Sequence, residues 1–315
     1  MSNFSLDSLV NRTLEESPSV ESRPSFWENY EESEVLSTNH KGMSTYKVRI
    51  PDSEDFVVVK PKDIRSPNGN HPRKTAIFQE IARHYGVQTV KEVTIERDGK
   101  AIRIAEYIPA IDFASAINGN REENLTAEER EAVEQWFPEG IFEDYTLIRR
   151  HSQGSTYYTA QINKVTLDAE KFREWYEADN DTESKAKASL HAIHDMISDG
   201  FLMDIFGELN LAFHDGEFIL VDVEPLQLSN VAYLKPATVN HSEAKLNRMF
   251  AKVGLPVISY AEIVKRNYGE DKFLETRSEF NPQVSTGYLE ILHTNVTNED
   301  ELKLYEQRLE ERKNG

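Results

Sequence analysis

The sequence predicts an α+β protein, with a β-rich first part over residues 31–110 and a mostly helical remainder over residues 111–315. Two observations in the first part indicate antiparallel strands. The segment "STYKVRIPDSEDFVVVKPKD", residues 44–63, has the pattern of two strands joined by an acidic turn. Two more alternating segments flank Asp98-Gly99, a turn pair that tolerates positive φ. In the remainder, apolar residues recur at helical spacing, so strands and helices are segregated along the chain.

An arm and one helix complete the first part. Residues 1–30 are rich in Ser, Glu and Asn and poor in aliphatic residues, which predicts a flexible acidic arm. The segment "HPRKTAIFQEIARHYGV" predicts a helix that begins near Pro72 and ends at Gly86. The second hairpin continues into "AEYIPA". The expected order of elements is therefore strand, strand, helix, strand, strand.

The remainder begins with an acidic insert, residues 119–185, in which helical stretches surround a predicted strand near residues 155–162. The segment "SKAKASLHAIHDMISDG" then predicts an amphipathic helix that ends at Gly200. The last ninety or so residues are predicted to be mostly helical. They close on "EDELKLYEQRLEERK", whose alternating charges are typical of a surface helix.

Composition excludes several classes of protein. The formal net charge of −19 argues against nucleic acid or an anionic membrane as a general partner, because both attract basic surfaces. The chain has no cysteine, so disulfides, thiolate zinc sites and cysteine nucleophiles are excluded. No apolar run approaches the roughly 18–20 residues of a membrane span. The start lacks the pattern of a signal peptide, and we expect a cytoplasmic protein.

Carboxylates and one amide are concentrated in "MDIFGELNLAFHDGEFILVDVEPL", residues 203–226. Asp222 interrupts an apolar strand, where a buried carboxylate is costly unless it binds a cation or hydrogen-bond donors; the alternative is a strand end that faces solvent. Asp204 is flanked by apolar residues and is either functional or a cap or turn residue. Asn210 is a common turn residue type. A metal-dependent hydrolase around Asp204, Asp222 and Glu224 is a further alternative.

Two charged residues upstream suggest how these groups could act together. Phosphoryl transfer from a nucleotide needs a cation on the phosphates, a helix carboxylate that holds this cation, oxygen ligands for Mg²⁺, and a carboxylate near the acceptor hydroxyl. Lys60 ends the apolar strand "FVVVK", and Glu80 follows twenty residues later within the predicted helix. Glu80 could therefore pair with Lys60. A solvated surface position is the alternative for each.

The same order of motifs resembles the protein-kinase-like superfamily. The strand with Lys60, the helix with Glu80, the hairpin and "AEYIPA" are similar to its N-terminal lobe and hinge. The "EYIP" hinge looks most like aminoglycoside and choline kinases, and "VVVKPKD" looks more like the lipid-kinase and HipA-type branches. The segment "LHAIHDMISDGFLMD" resembles the helix that leads into a kinase catalytic loop. "FILVDVEP" resembles the strand that carries the metal-binding aspartate.

The resemblance implies a two-lobed kinase-like fold that uses ATP and Mg²⁺ to phosphorylate a hydroxyl of an unknown small molecule, lipid or protein. It implies that the site residues are Lys60 and Gly42 at the phosphates, Glu80 orienting Lys60, Glu106 and Ile108 at the adenine, Asp204 as the proton acceptor, and Asn210 and Asp222 at Mg²⁺. The alternative is a non-catalytic kinase-like scaffold or assembly protein. It is motivated by a phosphate loop with a single glycine and by the six-residue step from Asp204 to Asn210, where the family usually has five.

Overall fold

The computed structural model describes residues 30, 33–38, 44–51, 53–63, 72–97, 100–108, 111–112, 131, 135–153, 156–178, 181–203, 211–221, 223, 225–226, 228, 243, 246–280 and 288–314. These residues divide between two compact units. The first unit lies within Met1–Arg73 and Val90–Ile108, and the second lies within Lys74–Thr89 and Pro109–Gly315. Both antiparallel strands and helices are present, so the predicted α+β class is confirmed.

The elements are numbered here in chain order. The strands are β1 (Glu34–Thr38), β2 (Ser44–Arg49), β3 (Phe56–Asp63), β4 (Gln88–Thr89), β5 (Glu92–Arg97), β6 (Lys100–Glu106), β7 (Ile111–Asp112), β8 (Phe142–Gln153), β9 (Thr156–Leu167), β10 (Leu211–His214), β11 (Glu217–Leu220), β12 (Phe273–Phe280) and β13 (Tyr288–Thr294). The helices are α1 (Pro72–His84), α2 (Ala169–Glu177), α3 (Asp181–Ser198), α4 (Tyr260–Tyr268) and α5 (Asn298–Asn314). Among the described helices, none has the length and apolar character needed to cross a bilayer.

The first unit contains an antiparallel sheet with the strand order β1-β2-β3-β6-β5. The strand pair predicted over residues 44–63 is confirmed as β2 and β3. The alternating segments around Asp98-Gly99 are confirmed as β5 and β6, while the turn itself lies outside the described residues. Side chains on one face of this sheet form a small hydrophobic core. Its buried members are Val48, Ile50, Val57, Val59 and Ile104.

The second unit is built around the hairpin of β10 and β11. Its turn is Asp215-Gly216, with φ values of 49° and 83°, and two consecutive positive φ values suit the right-handed twist of the strands. Phe213 and Phe218 lie opposite each other across the strands, with ring centroids 5.2 Å apart. The backbone N–H of Phe218 donates to the Ser189 hydroxyl of α3 at 2.9 Å, so a buried polar contact fixes the hairpin on the helix.

The hairpin belongs to a mixed sheet with the order β4-β11-β10-β7. The two-residue strand β4 runs parallel to β11, and β7 runs antiparallel to β10. The large core of the second unit packs beneath this sheet and against α1, α2 and α3. Among its fully buried aromatic residues are Phe78, Phe172, Phe201 and Phe250.

The structure differs from the sequence prediction in several places. Strand β1 precedes the two strands expected first, and the two-residue strands β4 and β7 were not expected. The acidic insert contains a long antiparallel ribbon, β8 with β9, of twelve residues in each strand, where a single strand was expected near residues 155–162. The last ninety residues contain the hairpin of β12 and β13, so the expectation of mostly helices was too simple. Strands β8 and β12 carry several charged residues, which hide the two-residue period that identifies a strand.

The C-terminal helix α5 begins with a reciprocal cap. The backbone N–H of Asp300 donates to the Thr297 hydroxyl at 3.1 Å, and the Thr297 N–H donates to the Asp300 carboxylate at 2.8 Å. Lys272 donates to the same carboxylate at 2.9 Å. These donors, with Lys272 contributing most, lower the pKa of Asp300 from 3.8 to about 2. The first turn of α5 is therefore stabilised by an ionised Asp300.

This cap predicts a loss of stability in acid. A carboxyl whose pKa is lowered by folding stabilises the fold above its unfolded value, and this contribution is lost as the pH falls from about 4 towards about 2. Asp300→Asn should therefore lower the free energy of unfolding at neutral pH. In acid, where Asp300 is protonated in the wild type too, the two proteins should differ much less in stability. Urea unfolding of both proteins from about pH 6 to about pH 2 measures the difference. Glu270→Gln, an exposed neighbour, is the control. If the difference in the free energy of unfolding between wild type and Asp300→Asn did not change with pH, it would contradict the role assigned to ionised Asp300.

Candidate functional site

Lys60 lies on β3, an inner strand of the first unit, with β2 on one side and β6 on the other. Val57 and Val59 are fully buried on the core face, so the two-residue period places Val58 and Lys60 on the opposite face. Lys60 is half-buried. Its position on a rigid, paired strand agrees with the expectation that a strand fixes this cation.

A second cationic side chain lies opposite Lys60, on the neighbouring strand β6. Arg103 of β6 pairs in register with Lys60, and only 4% of Arg103 is exposed. Two hydrogen bonds, of 2.8 Å and 2.6 Å, join its guanidinium to the carboxylate of Glu92. This bidentate pair offsets the charge of Arg103 in a buried position. Neither residue was predicted to be functional, although both lie in the alternating segments that predicted β5 and β6.

Aromatic rings mark the other end of the same face. The Lys47 ammonium lies 4.5 Å from the ring centroid of Phe56 and 4.1 Å from that of Tyr107. Phe56 and Lys60 are four residues apart on β3, a separation of about 13 Å. Val58 lies between them and opposes Ala105 of β6 in register. Along this face, Val58 and the buried Ala105 therefore lie between the aromatic pair, which Lys47 covers, and Lys60.

The predicted hinge follows β6. The N–H of Glu106 donates to the Lys91 carbonyl at 3.0 Å, and the N–H of Tyr107 donates to the Phe56 carbonyl at 3.3 Å. The N–H of Lys91 donates to the side-chain carboxylate of Glu106 at 2.9 Å. Within the described part of the chain, the carbonyl of Glu106 and the N–H of Ile108 have no hydrogen-bond partner. These are backbone groups of the two residues that were expected at an adenine.

Glu80 lies on α1 in the second unit, where it is half-exposed. Its carboxylate forms an ion pair with Lys313 of α5, with 2.8 Å between Oε1 and Nζ. The expected pairing of Glu80 with Lys60 joins residues of different units and stays a prediction.

Gly42, Asp204, Asn210 and Asp222 lie outside the described residues. The residue before Asp204, the residue after Asn210 and the residues on both sides of Asp222 are described.

The described residues next to these positions pair with one another. Met203 pairs with Pro225 in an antiparallel bridge, and the N–H of Leu226 donates to the Leu202 carbonyl at 2.8 Å. Leu211 opposes Leu220 in the hairpin of β10 and β11. The residues next to Asp204 and Glu224 are therefore paired, as are residues close to Asn210 and Asp222. The Met203–Pro225 bridge was not predicted from sequence, because a single long-range pair leaves no periodic signal.

The described residues contain no group of three or more histidine, aspartate and glutamate side chains that could hold a metal ion. The metal ligands expected from the sequence, Asn210 and Asp222, lie outside those residues. Oxygen donors of this type suit a hard cation such as Mg²⁺.

Comparison with known proteins gives no family assignment. No protein-family model matches the chain, and no curated protein matches it significantly.

Proposed function

We propose that the protein is a phosphotransferase of the protein-kinase-like type, with two lobes, which uses ATP and Mg²⁺. One observation carries the proposal. Lys60 is held on an inner strand of an antiparallel sheet, and the neighbouring strand β6 leads directly into a segment with backbone groups available to a base. A fixed cation at the phosphates and backbone recognition of a base are the two parts that a nucleotide site of this type requires.

The nucleotide would lie along this face of the first unit. Lys60 would hold the phosphates, and the Val58–Ala105 pair would form the apolar floor under the base. The Glu106 carbonyl and the Ile108 N–H would contact the edge of the adenine. The separation of about 13 Å between Phe56 and Lys60 leaves room for the base and ribose before the phosphates.

The chemistry is assigned to residues of the second unit. The pairing of Met203 with Pro225 and of Leu211 with Leu220 supports a site in which Asp204, Asn210 and Asp222 act together. Asn210 and Asp222 would bind Mg²⁺, which offsets the repulsion between the nucleotide and a protein of net charge −19. Asp204 would accept the proton of the acceptor, a hydroxyl of a small molecule, lipid or protein.

A second candidate function is a non-catalytic kinase-like scaffold or assembly protein. The ion pair of Glu80 with Lys313 favours it, since the carboxylate assigned to orient Lys60 already has a cationic partner in the second unit. A scaffold could retain nucleotide binding through the first unit without turnover.

Turnover of γ-labelled ATP separates the two functions. We expect the wild type to release or transfer labelled phosphate in the presence of Mg²⁺. We expect Asp204→Asn to reduce this rate by about 10²–10⁴-fold, because it removes the proton acceptor. Asp215→Asn is the matched control, since Asp215 is an exposed turn residue with positive φ that asparagine tolerates. Binding without turnover in the wild type would favour the scaffold, and equal rates in the wild type and Asp204→Asn would reject the assigned base.

A further inference from the structure

The ribbon of β8 and β9 differs in charge from the rest of the chain. Residues 145–167 contain no aspartate or glutamate, although the chain has 55 of these residues in 315. They do contain three cationic residues, Arg149, Arg150 and Lys164. The rest of the chain has the other 33 lysine and arginine residues and all 55 acidic residues, so its formal net charge is −22. The ribbon is therefore a cationic segment of a strongly acidic protein.

The base of the ribbon is fixed in the second unit, and its edges have no further strand. Phe142 pairs in register with Leu167, and the Phe142 ring packs against the large core. The N–H of Asp168 donates to the Ile141 carbonyl at 2.8 Å. Among the described strands, β8 and β9 pair only with each other. Every second residue of each strand directs its N–H and C=O away from the partner strand, so the outer edges can pair with a further strand.

The register places the two arginines of β8 opposite neutral residues. Arg149 pairs with Ala160, and Arg150 pairs with Thr159. The two residues that precede the arginines are leucine and isoleucine. Because consecutive residues of a strand lie on opposite faces, the ribbon has one arginine of β8 on each face. A strand added at the outer edge of β8 would meet both arginines, and β9 places no acidic residue opposite either of them.

We propose that the outer edge of β8 binds an extended acidic segment of a partner protein, which adds a strand to the ribbon. Main-chain hydrogen bonds hold the segment on the edge. Two adjacent carboxylates of the partner lie beside Arg149 and Arg150, and its apolar residues lie beside the leucine and isoleucine that precede them. Nucleic acid fits this edge less well, because three cations neutralise few phosphates on a protein of net charge −19.

The test is the binding of a short fluorescent peptide to the full chain, measured by fluorescence anisotropy. The peptide alternates threonine and valine and has two adjacent glutamates at its centre. We expect saturable binding that weakens as the salt concentration rises from about 0.02 M to about 0.15 M, because salt screens exposed charges. A peptide with glutamine in place of both glutamates should bind more weakly. So should a glutamate peptide with prolines beside the glutamates, because proline has no N–H to donate to β8.

Variants of the ribbon test the same pairing from the side of the protein. The double variant Arg149→Gln with Arg150→Gln should bind the glutamate peptide about 5- to 30-fold more weakly, because it removes two cross-strand charge pairs. Arg149→Lys with Arg150→Lys keeps both charges and should retain most of the affinity. Lys303→Gln, which changes an exposed cation of α5, is the control and should bind the peptide as the wild type does.

Three results overturn the proposal: no binding at about millimolar peptide, equal affinity of the wild type and the double glutamine variant, or equal affinity of the wild type for the glutamate and proline peptides. Tighter binding of duplex DNA than of the glutamate peptide, lost in the double glutamine variant, overturns the acidic protein segment as the partner. None of these measurements includes a nucleotide such as ATP, so their outcome is independent of the proposed phosphotransferase.

Discussion

Replacing Lys74 by methionine is expected to destabilise the second unit by about 3–5 kcal/mol, because it leaves a buried carboxylate without its cation. Lys74 of α1 and Glu301 of α5 form an ion pair of 2.9 Å, and their side chains are 1% and 0% exposed. Asn298 accepts a further hydrogen bond from the Lys74 ammonium at 3.2 Å. The pair is thus removed from water, and Lys74 is the hydrogen-bond partner of only one of the two Glu301 oxygens, Oε2. A buried charge that loses its partner is the situation that costs most.

Urea unfolding of wild type and variant measures this change in the free energy of unfolding. Lys303→Ala is the matched control, because Lys303 pairs with Glu299 on the same helix at the same distance of 2.9 Å but on the surface. We expect little change there. The double variant Lys74→Met with Glu301→Leu should recover much of the loss, since apolar residues can replace a buried pair. A loss for Lys74→Met as small as that of the control would show that the pair is not important for stability.

The buried pair also explains how α1 is positioned. Three contacts join α1 to α5 along its length: the Lys74–Glu301 pair, the rings of Phe78 and Tyr305 with centroids 5.6 Å apart, and the Glu80–Lys313 pair. Helix α1 carries Glu80, the carboxylate assigned to Lys60 in the proposed phosphotransferase. The C-terminal helix therefore sets the position of this group within the second unit.

The second large effect concerns nucleotide affinity. Lys60→Met should weaken binding of MgATP by about 10- to 100-fold, because hydrogen bonds to charged groups contribute about 1.5–3 kcal/mol. The methylene chain of methionine preserves much of the apolar stem of lysine, so the sheet should remain intact. Lys91→Met is the matched control, since the Lys91 side chain is exposed and only its backbone takes part in the hinge. Equal affinities of wild type and Lys60→Met for MgATP would show that Lys60 does not contact the nucleotide.

Local patterns predicted much of the fold. The alternation over residues 44–63 gave the correct strands, and the apolar spacing in "SKAKASLHAIHDMISDG" matches α3, Asp181–Ser198. Strands β8 and β12 were missed because their charged residues obscure the period. The parallel pairing of β4 with β11 involves only two residues of each strand, and its partners are distant in sequence. Such pairing depends on tertiary packing that a local pattern does not encode.

In the candidate site too, local patterns predicted some features, while others depend on tertiary packing. Lys60 could be predicted because it ends an apolar run on a strand, and its paired position on β3 follows from that run. The hydrogen bond from the Lys91 N–H to the Glu106 carboxylate could not be predicted, because it depends on which residue opposes Lys91. The ion pair of Arg103 with Glu92 likewise depends on register, since either residue alone is a common charged side chain.

Titration calorimetry of the full wild-type chain with ATP, with and without Mg²⁺, tests the central proposal most directly. The proposal predicts saturable binding of ATP at one site, tighter with Mg²⁺ than without it, and weakened by Lys60→Met but not by Lys91→Met. Absence of binding at about millimolar nucleotide, where the standard free energy of binding would be weaker than about −4 kcal/mol, would contradict it.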